Sequence, residues 1–145
     1  MAYDQLKLEN QLCFPLYASS HLIVRRYKPY LDELGITYPQ YLVLMVLWEH
    51  KTLPVNTISK KLLLNTNTVT PLLKRMEALG LINRVRSKKD ERRVEVSLSK
   101  KGLALEEKAA EIPIKLSKGL IPDIISTDEV KHLKDLLEKI LKHLD

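Results

Sequence analysis

The sequence predicts a mainly α-helical chain carrying one small two-stranded β-ribbon, and three observations support that expectation. Apolar residues recur at helical spacing near both ends: Leu16, Ile23, Tyr27, Tyr30, Leu31 and Leu34 early in the chain, and Val130, Leu133, Leu137, Ile140 and Leu144 late in it. Residues 55–77 read as two short helices joined by a tight turn, a helix-turn-helix pattern. Directly after them, Leu81, Ile82 and Val85, then Val94, Val96 and Leu98, alternate with polar residues as two strands around a charged tip.

Taken in order, the first helix is expected to begin near Cys13, because Pro15 is tolerated in a first turn but not in an interior, and to stop at Gly35. Thr37, Tyr38, Pro39 and Gln40 form a capping box with a proline in the first turn. The helix they open is strongly apolar through Trp48 and belongs in the core. After the break at Pro54, residues 55–63 give a short amphipathic helix, and Leu64 leads into residues 65–77. Short hydroxyl and amide side chains crowd the start of that stretch, at Asn65, Thr66, Asn67, Thr68 and Thr70. Leu72, Leu73 and Met76 supply an apolar stripe, and Lys74 with Arg75 follow on the other side. A helix of this kind reads DNA bases from its front edge and packs on a core with its back. Asn and Thr also collect at any helix start as caps, so the stretch takes its meaning from its neighbours. Pro71 leaves its beginning open: a start at Thr66 forfeits a backbone bond about one turn in, and otherwise the helix starts later or bends.

Gly80 ends this helix. The tip between the two strands reads Arg86, Ser87, Lys88, Lys89, Asp90, Glu91, Arg92 and Arg93. Placed after a helix-turn-helix, it is expected to be a DNA-contacting wing, since basic residues there gain affinity by releasing phosphate counterions. Ser99 caps a helix expected from Lys100 toward Ser117, with a kink at Pro113. Gly119 and Pro122 mark a break, and a second capping box from Ser126 to Glu129 opens the last helix, whose near-heptad apolar stripe can pack within its own subunit or on a partner. The organisation is therefore a winged helix-turn-helix DNA-binding lobe at residues 36–99, with residues 1–35 and 100–145 as a helical dimerisation region.

Composition narrows the function classes. A chain of 145 residues fits a single domain that needs no metal or disulfide staple. Lys and Arg exceed Asp and Glu by six, and the pI near 9.4 favours a polyanionic partner. Residues 1–10 are polar and no cleavable apolar region follows, and no apolar run approaches membrane-spanning length, so no signal peptide and no membrane partner are expected. A single cysteine excludes an intrachain disulfide framework and suits a reducing cytoplasm; Cys13 is either an inert core thiol or a reactive one. The histidines His21, His50, His132 and His143 lack zinc-like spacing. Phosphate loops, nucleophile elbows and paired-carboxylate motifs are absent, so neither an enzyme nor a cofactor or metal is expected.

With the pattern complete, the chain resembles the MarR family of winged-helix repressors, and particularly its OhrR-like organic hydroperoxide sensors. The resemblance runs through nearly the whole length and is strongest at Leu12, Cys13 and Phe14 with Leu16 to Ser20, at Thr37 to Tyr41, and at Thr70 to Glu77; the wing's Asp90, Glu91 and Arg92 match as well. It implies that Cys13 is a peroxide-reactive thiol and that Tyr27 and Tyr38 hydrogen-bond to it. Chemistry makes these roles reasonable: the thiolate is the nucleophile, and a helix N-terminus and phenolic donors both favour it. Leu12, Phe14 and Trp48 are expected to give the thiol an apolar setting suited to a greasy oxidant. Some relatives trap the oxidised cysteine with a second thiol near the C-terminal helices; here only Ser117 and Ser126 occupy that region, which points to a low-molecular-weight thiol. Many OhrR-like reading helices begin Asp, Ser, Gly, Thr where this one has Asn65, Thr66, Asn67 and Thr68, so the operator cannot be borrowed from relatives.

The reading from sequence is thus a cytoplasmic, homodimeric repressor on a pseudo-palindromic operator in double-stranded DNA, released by organic hydroperoxide. Two recognition helices would enter major grooves about 34 Å apart with the wings at flanking minor grooves. Asn65, Thr66, Asn67, Thr68 and Thr70 are the candidates for base edges or nearby backbone, and Lys74, Arg75, Arg86, Lys88, Lys89, Arg92 and Arg93 for electrostatic and wing contacts. The alternative is a MarR-like repressor released by a small aromatic ligand between the first helix and the DNA-binding lobe.

Overall fold

The computed structural model describes residues 3–145, so the first two residues of the polar opening lie outside it. Helix α1 spans Cys13–Leu34 and stops at Gly35, whose φ of 71° is the left-handed conformation in which its N–H reaches back to Asp32 and Leu31 carbonyls. Helix α2, Tyr38–His50, opens with the expected reciprocal box: Gln40 N donates to Thr37 Oγ1 at 3.4 Å and Thr37 N to Gln40 Oε1 at 2.9 Å. Helix α3 spans Val55–Leu62, and α4 spans Thr66–Ala78.

The ambiguity at Pro71 is resolved in favour of the early start. Asn65 is the N-cap, its side chain accepting from Asn67 N at 2.9 Å, and the proline is carried inside α4. The missing N–H would have met the Asn67 carbonyl, and both residues are exposed, where water satisfies the freed acceptor.

Strands β2 (Ile82–Arg86) and β3 (Val94–Leu98) pair antiparallel as expected, and a third strand joins them. This β1, Thr52–Pro54, pairs with Ser97, Val96 and Glu95 of β3, so the sheet order is β1-β3-β2 and the two-stranded ribbon is the outer part of a three-stranded sheet. Three residues ending in proline carry no strand signal; Pro54 is tolerated because it sits on an edge strand. One expected inward residue is also out of place. Val85 is 60% exposed, and the residues sharing the inner face of β2 are Ile82, Arg84 and Arg86.

The single helix expected over 100–117 is three short ones: α5 Lys100–Ala104, α6 Glu106–Ala109 and α7 Ile112–Ser117. Pro113 lies in the first turn of α7, where its absent N–H costs nothing, so it opens a helix rather than kinking one. Ser99 caps α5 by accepting from Gly102 N at 3.0 Å. Gly102 is needed there, because a Cβ would stand 2.1 Å from the Leu81 carbonyl oxygen. Helix α8, Thr127–Leu144, begins at Ser126, which accepts from Glu129 N at 3.1 Å.

The described residues form two compact units, the first ending at Ala109 and the second spanning Ala110–Asp145. The core of the first unit joins α2, α3, α4 and the sheet through fully buried Leu44, Leu47, Ile58, Val69, Leu73, Met76, Ile82 and Val96. Each such side chain contributes about 1.5–3 kcal/mol of burial. By contrast α1 buries Leu31 alone of its residues, and α8 buries none. No helix among the described residues is long and apolar enough to cross a membrane.

Candidate nucleic-acid interface and thiol site

The burial of Val69, Leu72, Leu73 and Met76 fixes how α4 is rotated, at about 100° per residue. Three sides result. Asn67, Pro71 and Lys74 form the outward side, all exposed. Thr66 and Thr70 face the sheet, where they border a hollow with Arg84, Arg92 and Arg93. Thr68 and Arg75 face the start of α2, bordering a second hollow with Thr37, Pro39 and Gln40. The candidates that the sequence offers as one reading edge are therefore distributed around half a helix. Asn65, as the N-cap, has its side-chain Oδ1 engaged by the Asn67 backbone N–H.

The turn between α3 and α4 is held by Leu63 in the left-handed conformation (φ 54°) and by the Ser59 hydroxyl, which donates to the Leu64 carbonyl. Beyond the strands, the wing tip is an ordered turn. Ser87 N donates to Arg93 O at 2.8 Å and Arg93 N to Asp90 O at 2.9 Å; Arg92 N donates to Asp90 Oδ1 at 3.0 Å. The Asp90 carboxylate thus folds the turn, while Arg86, Lys88, Lys89, Arg92 and Arg93 are all exposed around it. A hydrogen-bonded tip with five cations presents positive charge that favours phosphate contact.

The thiol site is divided. Cys13 is exposed at the first residue of α1, so within one chain it is not a core hydrophobe. Tyr27 and Tyr38 come together with ring centroids 5.0 Å apart, and Tyr41 joins them at 5.7 Å from Tyr27 and 6.1 Å from Tyr38. Cys13 is not among them: fourteen residues at about 1.5 Å each put it about 21 Å from Tyr27 along the helix axis. Trp48 is also engaged elsewhere, its indole N–H donating to the Gly102 carbonyl at 3.0 Å and its ring 6.3 Å from Tyr41. Leu12 and Phe14 do flank the thiol and are exposed with it. Burial lifts the phenols of Tyr27, Tyr38 and Tyr41 above the ordinary tyrosine value, and Tyr38 raises Tyr27 further. They therefore stay protonated, as hydrogen-bond donors, throughout the neutral range. Among the described residues no group of His, Cys, Asp and Glu is placed to hold a metal ion.

Two positions escape a reading of the sequence. Tyr41 was open to detection, since it follows Tyr38 by one helical turn. Arg84 was masked by the assumption that Val85 carried the inner face.

The profile of the family described as transcriptional regulator SarA/Rot matches residues 25–109. An organic hydroperoxide resistance transcriptional regulator of Bacillus subtilis (strain 168) is 51% identical over 98% of this chain and 95% of its own length. The chain belongs to the SarA/Rot family of transcriptional regulators. It is a MarR-type winged-helix protein of the OhrR-like group. Solved structures agree with this regulator's fold: reduced AbfR bound to DNA is 40% identical, with a TM-score of 0.82 over 99% of both chains. The disulfide form of AbfR aligns at a TM-score of 0.68 over 97% of this chain and 94% of its own. The same winged-helix frame therefore accommodates a DNA-bound, reduced protein and a disulfide-bonded one.

Proposed function

We propose that the regulator is a cytoplasmic, dimeric repressor that leaves its operator when an organic hydroperoxide oxidises Cys13. The observation that carries this reading is the exposed, solitary thiol on a chain 51% identical to an organic hydroperoxide resistance regulator. The Cys13 thiolate attacks the distal peroxide oxygen, the O–O bond breaks, and the alcohol leaves with a proton, giving a sulfenic acid. A low-molecular-weight thiol then condenses with it, releasing water and forming a mixed disulfide. Phenolic donors cannot reach the thiol within one chain, so Tyr27 and Tyr38 act on the Cys13 of a second copy. DNA is held by the outward side of α4 and by the wing cations, through Asn67, Lys74, Arg86, Lys88, Lys89, Arg92 and Arg93, with Asn65, Thr66, Thr68, Thr70 and Arg75 at the margins. The protein is a regulator and has no turnover chemistry of its own.

Binding to DNA from the regulator's own promoter region, with and without organic hydroperoxide plus a low-molecular-weight thiol, tests the reading. Release is expected for the wild type and not for Cys13→Ser. Release of Cys13→Ser by the same treatment would sink it. A second reading, release by an aromatic ligand, is favoured by a groove of about 400 Å³ between α1 and the start of α2, lined by Val24, Leu31, Ile36, Tyr38 and Pro39 with Arg25 and Lys28. Ligand release would survive Cys13→Ser.

A further inference from the structure

One strand position breaks the apolar pattern of the wing's inner face. Ile82, Arg84 and Arg86 lie opposite Leu98, Val96 and Val94, and residues two apart share a sheet face. Ile82 and Val96 are buried, which places Arg84 on the core side with its side chain 17% exposed. A guanidinium withdrawn from water this far needs acceptors for its five N–H groups. Glu77 of α4 offers one carboxylate, with Oε1 3.7 Å from Arg84 Nη1 and Oε2 accepting the Arg84 backbone N–H at 3.1 Å. Arg84 Nε is buried with no hydrogen-bond partner among the described residues. A buried donor left unmatched in a native protein calls for a physical reason.

The reason lies beside it. Arg84 borders a hollow of about 240 Å³ enclosed by the start of α3, the sheet-facing side of α4 and the wing, together with Asn56, Thr66, Thr70, Arg92 and Arg93. Three guanidiniums, two hydroxyls and an amide line this space beside apolar Pro54, Val55 and Val94, with no carboxylate among the described residues that line it. That donor set suits a phosphate group, to which arginine's planar fork is matched. We infer that the hollow seats one backbone phosphate of the DNA strand passing between the reading helix and the wing, with Arg84 as a ligand to that phosphate. The inference rests on the DNA-binding reading above. The hollow lies to the side of Asn67, Pro71 and Lys74, where a backbone contact fixes the register of the reading helix without itself reading sequence. Glu77 aims the guanidinium and ties it to α4.

The test compares Arg84→Gln and Glu77→Gln in binding to the promoter duplex and to a scrambled duplex across a salt series, with folding checked by thermal unfolding. Arg84→Gln is expected to reduce the slope of log affinity against log salt by about 0.9 per subunit, about 1.8 for a dimer, on both duplexes. Glu77→Gln is expected to keep the wild-type slope. A wild-type slope in folded Arg84→Gln, or equal affinity losses in both variants without a slope change, overturns the inference by making Arg84 a strut of the wing. Should Arg84→Gln not fold, Arg84→Lys decides: retained slope with affinity down about tenfold is expected from loss of the fork, and undiminished affinity overturns the assignment. Inorganic phosphate replacing chloride at matched ionic strength is expected to leave thermal stability unchanged. Stabilisation of the wild type that Arg84→Lys lacks would make the hollow a free-anion site and overturn the duplex assignment. A wild-type protein that binds neither duplex fails at the DNA-binding reading itself, and this inference falls with it.

Discussion

Helices α4 and α8 are both amphipathic, yet α4 buries Val69, Leu72, Leu73 and Met76 while α8 buries none of its residues. Leu133, Leu136, Ile140, Leu141 and Leu144 all remain exposed along α8, as do Leu6, Leu8, Leu12, Phe14 and Tyr17 at the other end of the chain. The apolar stripe of α4 meets a core supplied by its own chain; the stripe of α8 does not. An exposed row of this length marks a surface that another chain covers. We assign it to the second copy of the regulator. The comparison thus separates side chains that stabilise the reading head from side chains that create the dimer.

The largest effect is expected where α4 meets the core. Leu73→Ala, at a position with no exposure, should lower the free energy of unfolding by about 2–5 kcal/mol in urea titrations. A loss below about 1 kcal/mol would mean that α4 is held by something other than its stripe. Next comes the exposed row: Leu133→Lys with Ile140→Lys should raise the dimer dissociation constant at least about tenfold, about 1.4 kcal/mol, in sedimentation equilibrium. If self-association is unchanged, α8 is not the interface.

The smallest effect concerns the tyrosine cluster. The phenols of Tyr27, Tyr38 and Tyr41 have folded values raised above the ordinary value of 10, so the native state holds protons that the unfolded chain releases. Stability is therefore fully present below about pH 10 and declines as pH rises beyond it through the folded values. Tyr38→Phe, which cannot ionise, should lose less stability between about pH 9 and pH 11 than the wild type, measured by thermal unfolding across that range. An identical pH dependence would show that Tyr38 does not ionise in the unfolding step.

The sequence by itself determined whatever is settled within one or two turns of chain. The caps at Thr37, Ser99 and Ser126 and the left-handed stop at Gly35 follow from hydrogen bonds and conformations that span a few residues, and the antiparallel pair of β2 and β3 from alternation on either side of one polar tip. The residue types of α4 and of the basic tip between β2 and β3 were likewise visible before their positions were. Tertiary structure alone decided the rest. It added β1, because a three-residue strand exists only once β3 is there to pair with it. It turned Val85 outward and Arg84 inward, because a two-residue period fixes alternation but not which set faces the core. It gathered Tyr41 with Tyr27 and Tyr38, and it parted Tyr27 from Cys13 by several turns of α1. Local interactions write elements into a sequence; the side of an element that meets its neighbours is fixed only when those neighbours arrive.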